Sequence, residues 1–187
     1  DQSCSSGAIS VDLDNDDDLE IVTNNMDEPA FIYKNITVET RQKNLPAFIN
    51  YTVTYSGYNI GGIGTKFILK SDNGVDHQEI QTTTAFQSNQ TTTMLFTFSD
   101  EDKPRELLVI WPDNSFQIIK NFRLNTKQKI IFDRTKVETT ADVSSLVDDF
   151  LKGEKQFQNK TIQAKMLADL KTNQTPDFNY YSLLPHS

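Results

Sequence analysis

The chain has 187 residues, of which 36% are hydrophobic and 24% are charged, and its formal net charge is −8. This length suits one full domain with flanking pieces, and no apolar run approaches the roughly 20 residues that a membrane-spanning helix needs. The single cysteine, Cys4, excludes an intrachain disulfide and a cysteine-rich zinc site.

The negative charge is concentrated at the start of the chain. Residues 1–30 contain nine acidic residues and no Lys or Arg, whereas the remainder contains 17 acidic and 18 basic residues. Clustered carboxylates repel one another, and a bound cation is a common way to make such a segment compact. No basic patch stands out, which disfavours a nucleic-acid partner. Because the chain begins without Met or a signal peptide, we interpret it as a mature or excised fragment.

Residues 1–40 predict three short strands. Apolar alternation and turn residues place these strands at residues 8–11, 19–23 and 30–33. Three strands are fewer than the four of a propeller blade, and such a unit cannot bury its faces alone. These residues therefore make less than one complete blade.

The loop between the first two strands alternates acidic residues. This spacing lets a tightly turning backbone direct oxygens at one hard cation such as Ca²⁺, which takes about six to eight of them. The predicted metal ligands are the side chains of Asp12, Asp14, Asp16 and Glu20 and the backbone carbonyl of Asp18. The alternative is a solvated acidic turn that holds no ion.

We also predict the positions or conformations of three other residues of this loop. Leu13 and Leu19 are expected to point into the core and to anchor the loop. The sixth position of such a loop usually carries Gly because the backbone there needs a positive φ, and here that position is Asp17. Asp tolerates this conformation better than most residues do. Mg²⁺ is less favoured than Ca²⁺ because it demands stricter geometry.

Residues 41–134 predict an antiparallel β-sandwich. Short apolar stretches with regular turn residues, such as Asp72-Asn73-Gly74 and Asp113-Asn114, are typical of this architecture. The predicted strands are residues 48–55, 65–69, 78–84, 92–98, 106–111, 115–119 and 129–132. The predicted fold class is mainly β, with a partial blade, a sandwich and a C-terminal helical segment.

Residues 135–187 predict a helical linker that leads into a further repeat. The spacing i, i+3, i+4, i+7, i+8 indicates one apolar helix face, made of Val143, Leu146, Val147, Phe150 and Leu151. Asp142 is the predicted N-cap and Gly153 the predicted terminator. A second helix is predicted at residues 160–170, and an extended segment at residues 176–187.

Residues 5–133 resemble two families in succession. Residues 6–11, the acidic loop and residues 19–25 together resemble the final FG-GAP/VCBS calcium-loop repeat of a β-propeller. The next stretch resembles an ASPIC/UnbV domain, chiefly at residues 61–65 (GGIGT) and 107–113 (LLVIWPD). The resemblance implies calcium-stabilised recognition or adhesion in an extracellular or cell-surface protein, with no established catalytic role. Residues 183–186 resemble the lead-in to another propeller.

Two motifs raise enzyme hypotheses. The run Trp111-Pro112-Asp113 also occurs as the acid loop of tyrosine phosphatases, which need a catalytic Cys with an Arg six residues later. Ser10 lies six residues after Cys4, so that signature fails, and we interpret Trp111 as a core residue beside a turn. His77 lies among acidic residues but has no Ser-centred elbow or HExxH motif, so we interpret it as a surface residue. Paired glycosidase carboxylates meet only in space, and the sequence nominates no pair.

These features predict a non-enzymatic extracellular or cell-surface binding or adhesion module that is stabilised by calcium. The predicted partners are a protein or a glycan, together with neighbouring propeller domains. Four aromatic residues are candidates for stacking on sugar rings, namely Tyr55, Tyr58, Phe86 and Phe116. The alternative function is a structural spacer between β-propellers with no ligand of its own. A glycoside hydrolase-associated domain is less favoured.

Overall fold

A computed structural model describes residues 4–16, 18–36, 47–85, 88–89, 92–99 and 101–154. The strands are β1 (Ser5–Val11), β2 (Glu20–Asn25), β3 (Phe31–Tyr33), β4 (Ala47–Thr54), β5 (Lys66–Ser71), β6 (Val75–Glu79), β7 (Thr83–Ala85), β8 (Ser88–Asn89), β9 (Thr93–Phe98), β10 (Pro104–Ile110), β11 (Ser115–Ile119), β12 (Lys127–Ile131) and β13 (Glu138–Thr139), and the helix is α1 (Val143–Leu151). The chain forms two compact units, residues 1–139 and 140–187. The finer division into residues 1–40, 41–134 and 135–187 stays a prediction.

The first three strands form one antiparallel sheet in the order β1-β2-β3. Val11 pairs with Glu20 and Ile9 with Val22, so β1 and β2 form a hairpin whose connection is the acidic loop. β3 then pairs with β2, with Ile21 opposite Tyr33. The three strands predicted in residues 1–40 are confirmed.

The following strands form a five-stranded and a three-stranded sheet. The five-stranded sheet has the order β13-β11-β10-β5-β6 and is antiparallel throughout. The three-stranded sheet has the order β12-β4-β9, in which β9 runs antiparallel to β4 and β12 runs parallel to it. A small hairpin of β7 and β8 lies between β6 and β9 in the sequence.

One hydrophobic core joins the two larger sheets. Alternate residues of the central strands point into it, as the period of two in a strand requires. The buried members are Ile49, Tyr51, Val53, Phe67, Leu69, Ile80, Met94, Phe96, Phe98, Leu107, Val109, Trp111 and Ile130. The predicted fold class, mainly β with antiparallel sheets and a helix near the C-terminus, is confirmed.

The largest error in strand bounds concerns the strand that follows the turn at Asp72-Asn73-Gly74. The sequence predicts a strand over residues 78–84, whereas β6 begins at Val75, directly after the turn at Gly74, and ends at Glu79. Ile80 is buried, and its backbone N–H donates to the carbonyl of Thr65 at 2.9 Å. This bond lies at the end of the pairing with β5, and the chain leaves the sheet after it. The next strand, β7, begins at Thr83.

Helix α1 has the predicted caps. The Asp142 carboxylate accepts hydrogen bonds from the backbone N–H groups of Ser144 and Ser145, which satisfies donors that the first helical turn leaves unpaired. Gly153, just past the end, has a φ of 91°, a conformation that favours glycine. The second predicted helix lies outside the described residues. Among the described elements, no helix has the length and apolar character needed to span a membrane.

Candidate functional site

The acidic loop, residues 12–19, is a compact turn at the tip of the β1–β2 hairpin. Asn15 has a φ of 62°, so the left-handed position of the described loop lies there, and Asp17 lies outside the described residues. The backbone N–H of Asp18 donates to Asp16 Oδ1 at 3.1 Å, which tightens the second half of the turn. Among the described loop residues, the left-handed Asn15 and this hydrogen bond therefore shape the turn.

The fold brings the predicted ligands into two groups that share one residue. One carboxylate oxygen from each of Asp12, Asp14 and Glu20 lies within 4.8 Å of the others, and the same holds for Asp16, Asp18 and Glu20. Because Ca²⁺–oxygen distances are about 2.4 Å, ligands on opposite sides of an ion are separated by roughly 5 Å. Both groups are therefore compact enough to hold an ion. In this arrangement Asp18 offers its carboxylate, whereas the sequence predicted its carbonyl.

Glu20 is the centre of this arrangement and is only 2% exposed. Its Oε2 accepts a hydrogen bond from the backbone N–H of Leu13 at 2.8 Å. Within the described residues, Glu20 Oε1 and Asp12 Oδ1 are buried and have no hydrogen-bond partner. A buried carboxylate oxygen without a partner is costly, and a coordinated cation removes that cost. The donor set, oxygen only and strongly anionic, fits a hard divalent cation.

Two lysines contact the outer carboxylates of the loop. Lys34, just after β3, lies 2.9 Å from Asp14 Oδ2, and Lys127, the first residue of β12, lies 3.0 Å from Asp12 Oδ2. The hydrogen bond from Lys34 is the main cause that lowers the pKa of Asp14 below its usual value. Sequence reasoning missed both lysines. Lys34 is the first basic residue of the chain after the acidic segment, and this position could have indicated that it contacts the loop.

The expected anchoring of the loop is wrong. Leu13 and Leu19 are exposed and do not point into the core. Ile21, Ile32 and Tyr33 of the neighbouring strands are exposed as well. The physical reason is that three strands offer too little surface to cover a loop and both faces of their own sheet. Hydrogen bonds and ion pairs, and not apolar packing, therefore stabilise the described part of the loop.

The four candidate sugar-stacking aromatics have different environments. Tyr55 belongs to the core edge, since its ring stacks on Trp111 with centroids 5.7 Å apart and contacts Phe132 at 4.5 Å. Phe116 is half-buried, and Phe86 lies outside the described residues. Tyr58 is fully exposed. Of the described candidates, Tyr58 is the one whose ring is wholly available to a ligand.

Tyr58 lies on a loop with internal hydrogen bonds, residues 56–64, here called the Tyr58 loop. The side chain of Asn59 both accepts from Ile63 N (2.9 Å) and donates to Ile63 O (2.8 Å). Gly62 has a φ of 66°, and a Cβ there would lie 2.6 Å from Val53 Cγ1, so glycine is required. The loop exposes Ile60 and Ile63 beside Tyr58, and residues 44–65 contain no charged side chain.

The structure also shows the environment of the two motifs that raised enzyme hypotheses. Trp111 is buried in the core, and Asp113 lies in the turn between β10 and β11. Burial alone would raise the pKa of Asp113, but hydrogen bonds from Ser115 and Arg134 outweigh burial and hold that pKa below its usual value. His77 is half-buried on β6. Among the described residues, groups of His, Cys, Asp or Glu close enough to hold an ion are confined to the acidic loop and Glu20.

One comparison with known families gives a match in the second part of the chain. Residues 55–139 match the family model described as ASPIC and UnbV. The match covers less than half of the chain and ends at Thr139, where the first compact unit also ends. It includes the Tyr58 loop, Trp111 and Lys127 but not the acidic loop. No curated protein matches the chain.

Proposed function

We propose that the chain is a non-enzymatic, calcium-stabilised binding module of a secreted or cell-surface protein. In this proposal an FG-GAP/VCBS-type partial blade with a calcium loop precedes the ASPIC/UnbV domain. The observation that carries the proposal is Glu20, a buried carboxylate with one oxygen unpartnered among the described residues and four aspartates around it. The predicted ligand set, Asp12, Asp14, Asp16, Asp18 and Glu20, is kept.

Calcium is proposed because of the ligands, and it agrees with the proposed extracellular location. Carboxylate oxygens in an irregular turn suit the flexible coordination of Ca²⁺ better than the strict octahedron of Mg²⁺. Extracellular calcium modules bind with dissociation constants of about 10⁻⁴ to 10⁻³ M, which matches the calcium available outside cells. The chemistry that the ion supplies is structural, since it neutralises a repelling cluster and fixes the hairpin tip.

The non-enzymatic part of the proposal is supported by the environment of Trp111-Pro112-Asp113, one of the two motifs that suggested catalysis. A general acid needs a raised pKa, whereas the pKa of Asp113 is lowered by Ser115 and Arg134. Ser115 donates to one Asp113 oxygen within the turn, and Arg134, which follows β12, contacts the other oxygen. Trp111 serves the core, and its exposed fraction is only 1%.

The Tyr58 loop is the proposed ligand-binding surface. The CH groups on one face of a pyranose pack against an aromatic ring, and Tyr58 offers a full ring on a pinned backbone. Because residues 44–65 carry no charge, the loop favours a neutral ligand over an anionic one. A neutral glycan therefore fits this loop best, and a neutral protein surface is the second choice.

Tyr58→Ala is expected to remove saturable binding to neutral glycans. The substitution deletes the exposed ring without touching the core, so the melting temperature should stay within about 1 °C of the parent value. A glycan array with the full chain, run in calcium and again in chelator, measures the binding. Saturable binding should be at least roughly tenfold weaker in the variant. This factor corresponds to a loss of about 1.4 kcal/mol of binding free energy, which suits one stacked ring.

Ile118→Ala is the matched control, because Ile118 is an exposed apolar residue on β11, outside the Tyr58 loop. Its glycan binding should equal that of the parent chain. Hits that persist unchanged in Tyr58→Ala would contradict the proposed surface. Turnover of any glycan on the array would contradict the non-enzymatic proposal.

The spacer function is the second candidate, and the open faces of the first sheet favour it. Ile21, Ile32 and Tyr33 expose apolar surface on a sheet too small to bury its own faces. A spacer predicts no saturable glycan binding, and it predicts a higher melting temperature when neighbouring propeller domains are attached. The glycan array therefore separates the two candidates.

A further inference from the structure

The ion pair between Lys127 and Asp12 connects the acidic loop to the larger sheets. Asp12 follows β1, and Lys127 begins β12, 115 residues later. The Asp12 side chain is 17% exposed and that of Lys127 is 47% exposed, so the pair is partly shielded from solvent. The pair between Lys34 and Asp14 is more open at both ends, and solvent screens it more.

The two oxygens of Asp12 have different partners. Oδ2 contacts the Lys127 ammonium group at 3.0 Å, while Oδ1 is buried and has no hydrogen-bond partner in the described part of the chain. Asp12 and Glu20 belong to the same metal-capable group. Glu20 Oε1 also has no hydrogen-bond partner in the described part of the chain. A cation bound by this group would therefore share the Asp12 carboxylate with a lysine.

We propose that Lys127 is a built-in counter-cation that competes with the bound ion and sets the affinity of the site. This inference rests on the proposed function. Without the ion, the ammonium group neutralises part of the carboxylate cluster and stabilises the metal-free loop. With the ion, the same positive charge lies a few ångströms from a divalent cation and repels it. Both effects weaken ion binding, so Lys127 keeps the affinity of the loop low.

Reciprocity gives this arrangement a second consequence. If the Lys127 contact lowers ion affinity, the ion must weaken the Lys127 contact by the same free energy. Calcium binding at the hairpin tip is then linked to the attachment of the loop to β12. The site senses calcium through an ion pair that spans the ASPIC/UnbV region and the segment before it.

Lys127→Gln tests the proposal, with calcium binding to the full chain measured by isothermal titration calorimetry at low ionic strength. The variant should bind calcium roughly 3- to 10-fold more tightly, because one competing positive charge has been removed. Lys127→Arg, which keeps the charge, should restore the parent affinity to within roughly twofold. Lys129→Gln, which removes an exposed charge from the same strand, should change affinity by less than roughly twofold.

Four results would overturn the proposal. Weaker binding by Lys127→Gln would mean that the lysine positions Asp12 for the ion, and equal binding would mean that the contact has no effect on the site. A gain of the same size in Lys129→Gln would mean that only net charge matters. Absence of calcium binding in both the parent and Lys127→Gln would remove the proposed calcium function itself, whereas binding that ignores the lysine would remove the inference alone.

Discussion

Trp111→Ala is expected to lower the free energy of unfolding by about 3–5 kcal/mol, the largest effect of any single substitution considered for this chain. Trp111 is 1% exposed, and its ring contacts those of Tyr55 and Phe132, with centroid distances of 5.7 Å and 5.2 Å. Truncation leaves a cavity where the two larger sheets meet. Domains of this size have a total stability of about 5–15 kcal/mol, so the variant should lie near the edge of folding.

Urea denaturation followed by far-ultraviolet circular dichroism measures this loss, because Trp111 is the only tryptophan and its fluorescence disappears with it. Trp111→Phe is the matched control. It keeps an aromatic ring in place and removes the indole N–H, which has no hydrogen-bond partner among the described residues. The control should lose less than half as much stability as the alanine variant. A loss below about 1 kcal/mol in Trp111→Ala would contradict the assignment of this residue to the core.

Glu20→Gln is expected to abolish the stabilisation by calcium while leaving the metal-free protein as stable as before or more so. The amide keeps the shape of the side chain and its contact with Leu13 N, but it removes one negative charge from a cluster of carboxylates. Less repulsion favours the metal-free fold, and the lost charge disfavours the ion. The parent chain should gain about 2.7 kcal/mol at a calcium concentration of 100 times the dissociation constant, and the variant almost nothing.

Glu28→Gln is the matched control, because it removes the same charge from the same acidic segment at an exposed position outside both metal-capable groups. Chemical denaturation of the parent and both variants, in calcium and in chelator, completes the comparison. Equal calcium stabilisation in the parent and Glu20→Gln would show that Glu20 is no ligand. Equal losses in Glu20→Gln and Glu28→Gln would mean that only the total charge of the segment matters.

Much of the fold follows from local patterns in the sequence. Period-two alternation places Ile49, Tyr51 and Val53 on one face of β4, and that face is the buried one. The N-cap of α1 follows from Asp142, because a carboxylate before an apolar helical pattern satisfies free N–H groups. The strands of the first hairpin follow from the apolar residues on either side of the acidic loop. These features depend on residues close together in the sequence, so they can be predicted from it.

The features that the sequence did not predict depend on long-range contacts. Local periodicity contains no information on the pairing of Lys127 with Asp12, nor on the parallel pairing of β12 with β4. Leu13 and Leu19 are exposed because little of the first sheet is covered by other parts of the chain. The number of strands, three, could have indicated this exposure. The end of β6 is set by the hydrogen bond between Ile80 and Thr65, a partner 15 residues earlier. The ligand set of the acidic loop stays a prediction.

The most direct test of the account is the melting temperature of the parent chain in millimolar calcium, in the same concentration of magnesium, and in chelator. A divalent ion that binds only the folded state stabilises it, and for a chain of this size about 1 kcal/mol corresponds to roughly 2–4 °C. The melting temperature should be several degrees higher in calcium than in chelator, with magnesium giving less than half of that gain. Identical melting curves in calcium and chelator would leave the carboxylates around Glu20 as a solvated acidic turn and would contradict the proposed calcium site.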